Sequence, residues 1–408
     1  MRPVIWCVSL LNAINDSGYG VEMRKVCVFV GSRANYSSIK AAMSAIQEES
    51  KLQLQVVLGA SAVLDRFGRV ETLIRNDGFI PDYIFHNIVE GENPTTMAQS
   101  TGLGTIEMAM ILDNLKPDFV IIVGDRFEMM AATIAAAYMN IRVVHTMGGE
   151  VTGTIDESIR HAITKFAHVH FPANEDARQR IISMGEDPKL VFNVGCPRID
   201  LVAEELKKDS VRELNGVFEQ FLGVGATGFD LSKPYLLVSQ HPVTTEFGSN
   251  RWQIEQTLEA LDELKLPTIM LWPNADAGSD DISKGIRTFR EKHNPNWLHL
   301  FKNLPTNIYI HLMNSTACLV GNSSSGVREG AFIGTPVVNI GTRQNQRLHA
   351  ENVISTGYHS SEILGGICAQ LEHGKYGSSD MYGSGNAGVE LAKILTTVDS
   401  PIQKTITY

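Results

Sequence analysis

The stretch GNSSSGVRE, residues 321–329, follows the apolar run ACLV, residues 317–320, and predicts a strand that turns directly into a helix. Small residues at such a turn leave backbone N–H groups and hydroxyls facing an anion, and a helix N-terminus adds partial positive charge. We therefore expect Ser323 and Ser324 to bind a diphosphate, and Glu329, further along the helix, to accept hydrogen bonds from a ribose. An ordinary N-cap and turn would use the same residue types, so this stretch alone leaves that alternative open.

Length and charge narrow the class of protein. The 408 residues exceed a typical domain of about 150 residues, so two domains are expected. The net charge of -10 argues against nucleic-acid binding, which needs a clustered basic surface. No apolar run approaches the roughly 20 residues that span a bilayer, which favours a soluble, cytoplasmic protein. Residues 1–22 precede the first clear strand, and we expect them to be a peripheral, dispensable extension.

The five cysteines are scattered and include no CxxC pair, so the sequence predicts neither a zinc site nor a disulfide framework. We expect them to be packing residues in a reducing compartment; they are Cys7, Cys27, Cys196, Cys318 and Cys368.

From residue 23 onward, short β-branched runs alternate with helical patterns, which predicts parallel sheets covered by helices on both faces. The first series of predicted strands lies at residues 26–30, 54–58, 119–123, 142–146 and 168–172. The second lies at residues 235–240, 268–272, 298–301, 317–320 and 337–340, and a last helix is expected at 389–398. The predicted fold class is α/β, with two Rossmann-type doubly wound parallel-sheet domains facing each other across a cleft.

Ionisable residues follow two predicted strands of the first half. Arg33 comes just after the first strand, where it would reach a phosphate held by the opposite domain, although a solvated arginine is the simpler alternative. Asp125 and Arg126 follow residues 119–123 with Gly124 between them. A carboxylate at a strand tip is well placed to move protons, and we expect Arg126 to hold its ionisation state. The alternative is an N-cap aspartate paired with an arginine.

The loop HTMGGEVTGTIDESIRH, residues 145–161, combines glycines with further carboxylates, Glu150 and Asp156. Its glycines allow the backbone to approach a ligand closely. The spacing of its histidines and acids fits no standard metal motif, so no metal site is predicted.

In the second half, His241 ends a predicted strand and precedes Pro242. Its place beside the phosphate loop predicts a phosphate contact or a proton donor to a leaving diphosphate, with a structural histidine as the alternative.

Taken together, these segments resemble the hydrolysing UDP-N-acetylglucosamine 2-epimerases, which include bacterial sialic-acid pathway enzymes and the epimerase half of the animal bifunctional enzyme. The resemblance extends from residue 23 to about 394. The motifs that carry it are GDRFE (124–128), HTMGGEVTGTIDESIRHAITK (145–165), QHPVTT (240–245), PNADAGS (273–279), GNSSSGVRE (321–329), GTPVVNIGTRQ (334–344) and YGSGNA (382–387).

The resemblance implies a GT-B-like fold with domains at 23–196 and 197–384, a C-terminal helix within 385–408 that returns to the first domain, and a homodimer or homotetramer. It implies anti elimination of UDP from UDP-GlcNAc to 2-acetamidoglucal, then syn addition of water to give ManNAc, without a redox cofactor. Asp125 would be the base and Asp156 would assist hydration. The implied substrate-binding residues are Arg33, Ser37, Arg126, His241, Asn274, Leu304, Ser323, Ser324, Glu329 and Arg343.

One position departs from the family pattern. The usual acid at the third position of the HIEGGE segment is Met147 here, and a thioether cannot carry a proton. We expect either that Glu150 or another carboxylate takes over, or that the pocket is retuned for a UDP- or GDP-linked 2,4-diacetamido-trideoxy hexose, as in legionaminic-type pathways. The same residues are also compatible with a non-hydrolysing epimerase, with a non-catalytic sugar-nucleotide binder and, less favoured, with a GT-B glycosyltransferase.

Overall fold

The computed structural model describes residues 23–65, 70–90, 94–151, 155–246, 248–273, 278–302 and 304–407. The predicted peripheral segment 1–22 and the predicted substrate-binding residue Asn274 lie outside these ranges.

Helices and strands alternate through both halves of the chain. The first half contains β1 (Arg24–Val30), α1 (Arg33–Glu48), β2 (Leu52–Leu58), a 3-10 turn (Ala60–Val63), α2 (Val70–Asn76), β3 (Tyr83–Ile84), α3 (Pro94–Leu115), β4 (Phe119–Val123), α4 (Phe127–Tyr138), β5 (Arg142–Thr146), α5 (Ile155–Phe166), β6 (Val169–Phe171), α6 (Glu175–Ser183), a 3-10 turn (Pro188–Leu190) and α7 (Pro197–Glu205). The second half contains α8 (Ser210–Glu213), α9 (Val217–Gln220), β7 (Gly223–Gly225), β8 (Leu236–Ser239), a 3-10 turn (Thr244–Glu246), α10 (Asn250–Leu264), β9 (Thr268–Leu271), α11 (Ser279–His293), β10 (Leu298–Phe301), α12 (Thr306–Ser315), β11 (Cys318–Gly321), α13 (Ser324–Val327), α14 (Glu329–Ile333), β12 (Val337–Ile340), β13 (Val353–Thr356), α15 (Ser360–His373) and α16 (Ala387–Thr397).

Within the described ranges these strands form two sheets. The first has the order β3-β2-β1-β4-β5-β6 and is parallel throughout. The second has the order β13-β12-β11-β8-β9-β10-β7, and its edge strand β7 runs antiparallel to β10. The predicted class, two doubly wound α/β domains, is confirmed. Each sheet reverses its winding direction once, between β1 and β4 in the first and between β8 and β11 in the second.

The alternation of side chains along each strand explains why both faces are covered. In β1, Val26, Val28 and Val30 pack into one apolar cluster, whereas Cys27 and Phe29 pack into another on the opposite face. Successive side chains of a strand point to opposite faces, so a continuous apolar run requires a helical layer on each side. No helix in the described part of the chain is long and apolar enough to cross a membrane.

Three strands were absent from the prediction, and each has a weak apolar signal. Strand β3 has two exposed residues, β7 reads Gly-Val-Gly and is exposed, and β13 reads VIST and is at most half-buried. All three lie at a sheet edge. There the backbone pairs with one neighbouring strand while the side chains stay partly exposed, so the sequence lacks the apolar run that predicts a buried strand.

The last helix begins two residues before its predicted start. The Asp200 carboxylate on α7 accepts hydrogen bonds from the N–H groups of Ala387 (3.0 Å) and Gly388 (2.7 Å), so a residue far away in sequence starts α16. A Cβ on Gly388 would lie 2.7 Å from backbone atoms of α1, and this glycine therefore allows α16 to pack closely on the first half.

Candidate active site

Four of the predicted site residues lie near the two points where the sheets reverse their winding. Arg33 follows β1 and Asp125 follows β4, the two strands that flank the reversal in the first sheet. His241 follows β8 and Ser323 follows β11, which flank the reversal in the second. Open α/β sheets generally bind ligands at the carboxyl ends of strands at such switch points, and these four residues follow strands of that kind.

Asn322 joins the loops of the second half. Its buried side-chain amide accepts a hydrogen bond from the N–H of His241 (2.7 Å) and donates one to the carbonyl of His241 (2.8 Å). Its own carbonyl accepts hydrogen bonds from Arg343 Nη1 (3.2 Å) and Gln344 Nε2 (2.9 Å). The loops after β8, β11 and β12 are thereby fixed together, and the predicted residues His241, Ser323 and Arg343 meet at one place.

The serines of the predicted phosphate loop are held by a hydroxyl network. Ser323 caps α13, and its hydroxyl lies 2.8 Å from that of Ser325, which in turn lies 2.7 Å from the hydroxyl of Tyr309. Ser324 is the first residue of α13 and is half-buried. The helix expected after this loop is interrupted: α13 ends at Val327, Arg328 follows with a φ of -92° and a ψ of -69°, and α14 begins at Glu329.

His241 is held in a neutral state. Burial lowers its pKa, and the nearby Arg343 guanidinium lowers it further, to about 3. At neutral pH, positive charge near this loop therefore comes from Arg343 and the imidazole acts through its hydrogen bonds.

Glu329 and Leu304 have different surroundings. Glu329 is buried, and its carboxylate is paired with Arg198 of α7. Leu304 follows β10 and packs in an apolar cluster with Phe301 and Ile308. Glu329 lies near the predicted phosphate loop because it follows that loop closely in the sequence. Leu304 follows β10, which lies two strands away from β8 in the sheet.

Arg33 is the first residue of α1, and Ser37 lies one turn further along the same helix. The Ser37 hydroxyl donates a hydrogen bond to the Arg33 carbonyl (2.9 Å). Burial lowers the pKa of the Arg33 guanidinium. The side chain of a partly buried arginine at the switch point of the sheet is already partly desolvated, which favours pairing with an anion.

Asp125 is paired with a cation that the sequence did not predict. Its carboxylate, 26% exposed, is paired with the fully buried Arg160 of α5. Arg126 instead pairs through Nε with Glu128 Oε1 at 2.9 Å. Arg126 is the N-cap residue of α4, and its role toward Asp125 stays a prediction.

Glu150 forms the most buried ionic cluster between the halves. Its Oε2 atom binds Arg328 Nη2 and lies 2.8 Å from Arg347 Nη2, and all three side chains are at least nine-tenths buried. Arg160 donates a further hydrogen bond to the Glu150 carbonyl (2.8 Å). Burial alone would raise the pKa of Glu150, but the two guanidiniums outweigh it and hold the pKa at about 2. Glu150 is thus a permanent anion at neutral pH and a poor proton carrier.

Met147 and Asp156 lie on either side of Glu150 in the sequence. Met147 has a φ of +61° and is 8% exposed, and it packs in an apolar cluster with Val144 and Phe171. A carboxylate in the same position would face desolvation in that cluster. Asp156 lies in the first turn of α5, one turn before Arg160 and therefore on the same side of the helix.

The arginines that organise the site were not predicted from the sequence. They are Arg160, Arg198, Arg328 and Arg347, and three of them lie in or beside quoted motifs. The signal in the sequence was an arginine in or beside a motif that contains carboxylates, but which carboxylate each arginine pairs with depends on the folded geometry. No group of three or more His, Cys, Asp or Glu side chains in the described ranges is arranged to hold a metal ion.

Two facing parallel-sheet domains of this topology define a GT-B-like fold. A crystal structure of UDP-GlcNAc 2-epimerase from Neisseria meningitidis bound to UDP-GlcNAc has a similar fold, with a TM-score of 0.77 at 18% sequence identity over 91% of this chain and 99% of that one.

Sequence comparison identifies the family. The family described as UDP-N-acetylglucosamine 2-epimerase matches residues 44–396. A UDP-N,N'-diacetylbacillosamine 2-epimerase (hydrolyzing) from Legionella pneumophila is 32% identical over 92% of this chain and 96% of its own length. A UDP-N-acetylglucosamine 2-epimerase from Neisseria meningitidis serogroup B is 27% identical over 93% of this chain and 96% of its own. The chain belongs to the UDP-N-acetylglucosamine 2-epimerase family.

Replacing Glu150 by Gln is expected to lower the free energy of unfolding at pH 7 by about 3 to 5 kcal/mol, because two buried guanidiniums lose their counter-charge. The pKa of Glu150 is lower in the folded state than the 4.5 of an unfolded glutamate. Its contribution to the free energy of unfolding is therefore complete above pH 4.5 and is lost as the pH falls toward 2. The variant should therefore lose less stability than the native protein between these pH values. Urea unfolding measured at pH 3, 5 and 7 checks both effects.

The matched control is Glu175→Gln, which alters a carboxylate that is 58% exposed and paired with Arg178. Its effect should stay within about 1 kcal/mol. Equal destabilisation by both substitutions would contradict the assigned importance of the Glu150 cluster.

Proposed function

We propose that this protein is a hydrolysing 2-epimerase that releases UDP from a UDP-linked 2-acetamido sugar and delivers the free sugar inverted at C2. The observation that carries the proposal is the placement of a candidate anion-binding loop and a candidate base at the switch points of two sheets whose loops meet at Glu150. The hydrolysing relative from Legionella and the UDP-GlcNAc 2-epimerase from Neisseria support the reaction class.

The departing diphosphate needs preorganised positive charge and hydrogen-bond donors. In this proposal Ser323, Ser324 and His241 donate hydrogen bonds to it, while Arg343 supplies charge from the second half. Arg33 approaches from the first half, where Ser37 supports the same turn of helix. The network around Asn322 supports this arrangement, because three loops are already fixed before a ligand arrives.

The proton chemistry is assigned to the first half. Asp125 takes the C2 proton while the C1–O bond to UDP breaks, and the electron pair of the C–H bond forms the C1–C2 double bond. Water then adds its oxygen to C1 and a proton returns to C2, with Asp156 assisting this addition. The ion pair with Arg160 supports Asp125 as the base, because a fixed carboxylate can stay aligned with one C–H bond.

Glu150 is given a different role from the predicted one. Its two arginine partners and its pKa of about 2 favour a structural tie between the halves over proton transfer in place of the missing acid at Met147. We therefore assign the proton steps to Asp125 and Asp156 alone.

The proposal includes two candidate substrates for this reaction. UDP-GlcNAc follows from the motif resemblance, and its product would be ManNAc for sialic-acid-type biosynthesis. A UDP- or GDP-linked 2,4-diacetamido-trideoxy hexose is equally supported, since relatives from Legionella and Campylobacter, 32% and 31% identical, bear names of diacetylbacillosamine 2-epimerases. Met147 would then face a methyl group of the sugar in place of a hydroxyl. A non-catalytic binder remains the alternative from another class.

The assembly is proposed to be a homo-oligomer formed through α3. This helix of 22 residues exposes Leu103, Ile106 and Met110 at 45%, 61% and 62%, at the spacing of one helix face, while Glu107 and Asp113 are its charged residues. In a twofold contact both copies contribute the same surface, so a face with few charges suits pairing with a second copy in a chain of net charge -10.

Asp125→Asn is expected to lower the rate of UDP release by about 100- to 10,000-fold with either nucleotide sugar, because the base is removed while the side-chain shape is kept. A coupled assay for free UDP measures this, with Asp399→Asn, a substitution at a side chain that is 92% exposed, as the matched control. Normal turnover by Asp125→Asn would refute the assignment. Binding of nucleotide sugar by the native protein without UDP release would favour the binder.

Ile106→Glu is expected to convert the native oligomer to a smaller species, because each copy then brings a carboxylate into the apolar contact that is proposed. Sedimentation velocity measures the mass. Leu222→Glu is the control, since Leu222 is 92% exposed and lies away from α3. A native monomer, or an Ile106→Glu protein of unchanged mass, would disprove the contact.

A further inference from the structure

His145 lies two residues before Met147 and directly beneath the loop of Asp125. It belongs to β5 and is fully buried, with Ile122 of β4 and His170 of β6 beside it in register. Its Nε2 atom is 2.8 Å from the Gly124 carbonyl oxygen, and its Nδ1 atom is 3.2 Å from the Thr164 hydroxyl of α5. Both ring nitrogens are therefore engaged.

The partners determine the tautomer. A carbonyl oxygen only accepts hydrogen bonds, so Nε2 must carry the proton and donate it to Gly124. Nδ1 then accepts a hydrogen bond from the Thr164 hydroxyl. Burial lowers the pKa of His145 to about 3, and the other groups that act on it are His170, Arg160 and Asp125. The imidazole is neutral throughout the range in which enzymes are usually assayed.

Helix α5 supports the imidazole and the carboxylate together. Arg160, which pairs with Asp125, and Thr164, which bonds His145, are four residues apart and so lie on one face of the helix. Gly148 shows how tightly the ring is enclosed: a Cβ there would lie 2.7 Å from His145 Nδ1 and 3.2 Å from the Thr164 hydroxyl. The ring has little room to turn.

We propose that His145 is a positioning residue that fixes the Gly124–Asp125 peptide through its Nε2–H group, with Thr164 setting the ring orientation. The proposal rests on the proposed function, in which Asp125 is the base. Gly124 has a φ of +76°, which favours glycine, and the peptide that follows it leads directly into Asp125. Losing the hydrogen bond would let that peptide rotate and misalign the carboxylate. His145 is thus not the proton carrier that substitutes for the acid missing at Met147.

The test compares Thr164→Val, which removes the hydroxyl at similar volume, with Thr164→Ser, which keeps it. Thr164→Val should lower kcat by about tenfold with KM within about twofold, and Thr164→Ser should restore most of kcat. The acid limb of the pH profile of kcat/KM should stay at the same pH in both variants. An unchanged kcat in Thr164→Val, or an acid limb that moves with it, would overturn the positioning role.

A second measurement needs no turnover. Nitrogen-15 NMR of the full chain labelled at histidine should show His145 as a neutral Nε2–H tautomer at pH 5.5, and Thr164→Val should shift the amide signals of Gly124 and Asp125. A protonated ring, an Nδ1–H tautomer or unshifted amide signals would overturn the proposal. Absence of UDP release by the native protein would instead overturn the proposed function, so the two failures are distinguishable.

Discussion

Glu150 binds Arg328 and Arg347, and this buried contact limits how the two halves of the chain can be arranged. A charge out of water is costly unless it is paired, so neither the carboxylate nor the guanidiniums can separate without a large penalty. Arg328 lies between the serine loop and Glu329, and Glu150 lies between Met147 and Asp156. The contact therefore fixes the distance between the candidate anion-binding loop of one half and the carboxylates of the other.

Helix α5 extends this constraint into the first half. Arg160 donates to the Glu150 carbonyl and pairs with Asp125, so one buried guanidinium joins the interdomain cluster to the candidate base. At the other end of the same helix, Lys404 donates to the Lys165 carbonyl (2.8 Å) and pairs with Glu186, which anchors the C-terminal tail. The helix is held at both ends, and this explains how an exposed cleft keeps an ordered set of charged side chains.

The sequence predicted what depends on local pattern. Apolar β-branched runs predicted the central strands, and the segments that follow two of them predicted His241 and Ser323 at strand ends, whereas Arg343 was predicted only from the resemblance. It failed where the outcome depends on long-range partners. The pairing of Asp125 with Arg160 could not be predicted, and neither could the hydrogen bond from Ala387, the first residue of α16, to Asp200. Sequence periodicity does not encode which distant side chain will fill a buried site. The edge strand β7, with two glycines in three residues, lacked a signal altogether.

The proposed reaction takes place at C2 of a nucleotide sugar, and proton NMR in D2O measures that chemistry directly. The native protein would be incubated separately with UDP-GlcNAc and with a UDP-2,4-diacetamido-trideoxy hexose while the C2 proton, free UDP and free sugar are followed. We predict equimolar UDP and a free sugar that is inverted and deuterated at C2 from one of the two. Release of sugar that keeps its C2 proton and configuration, or return of an epimerised sugar still linked to UDP, would contradict the proposed reaction.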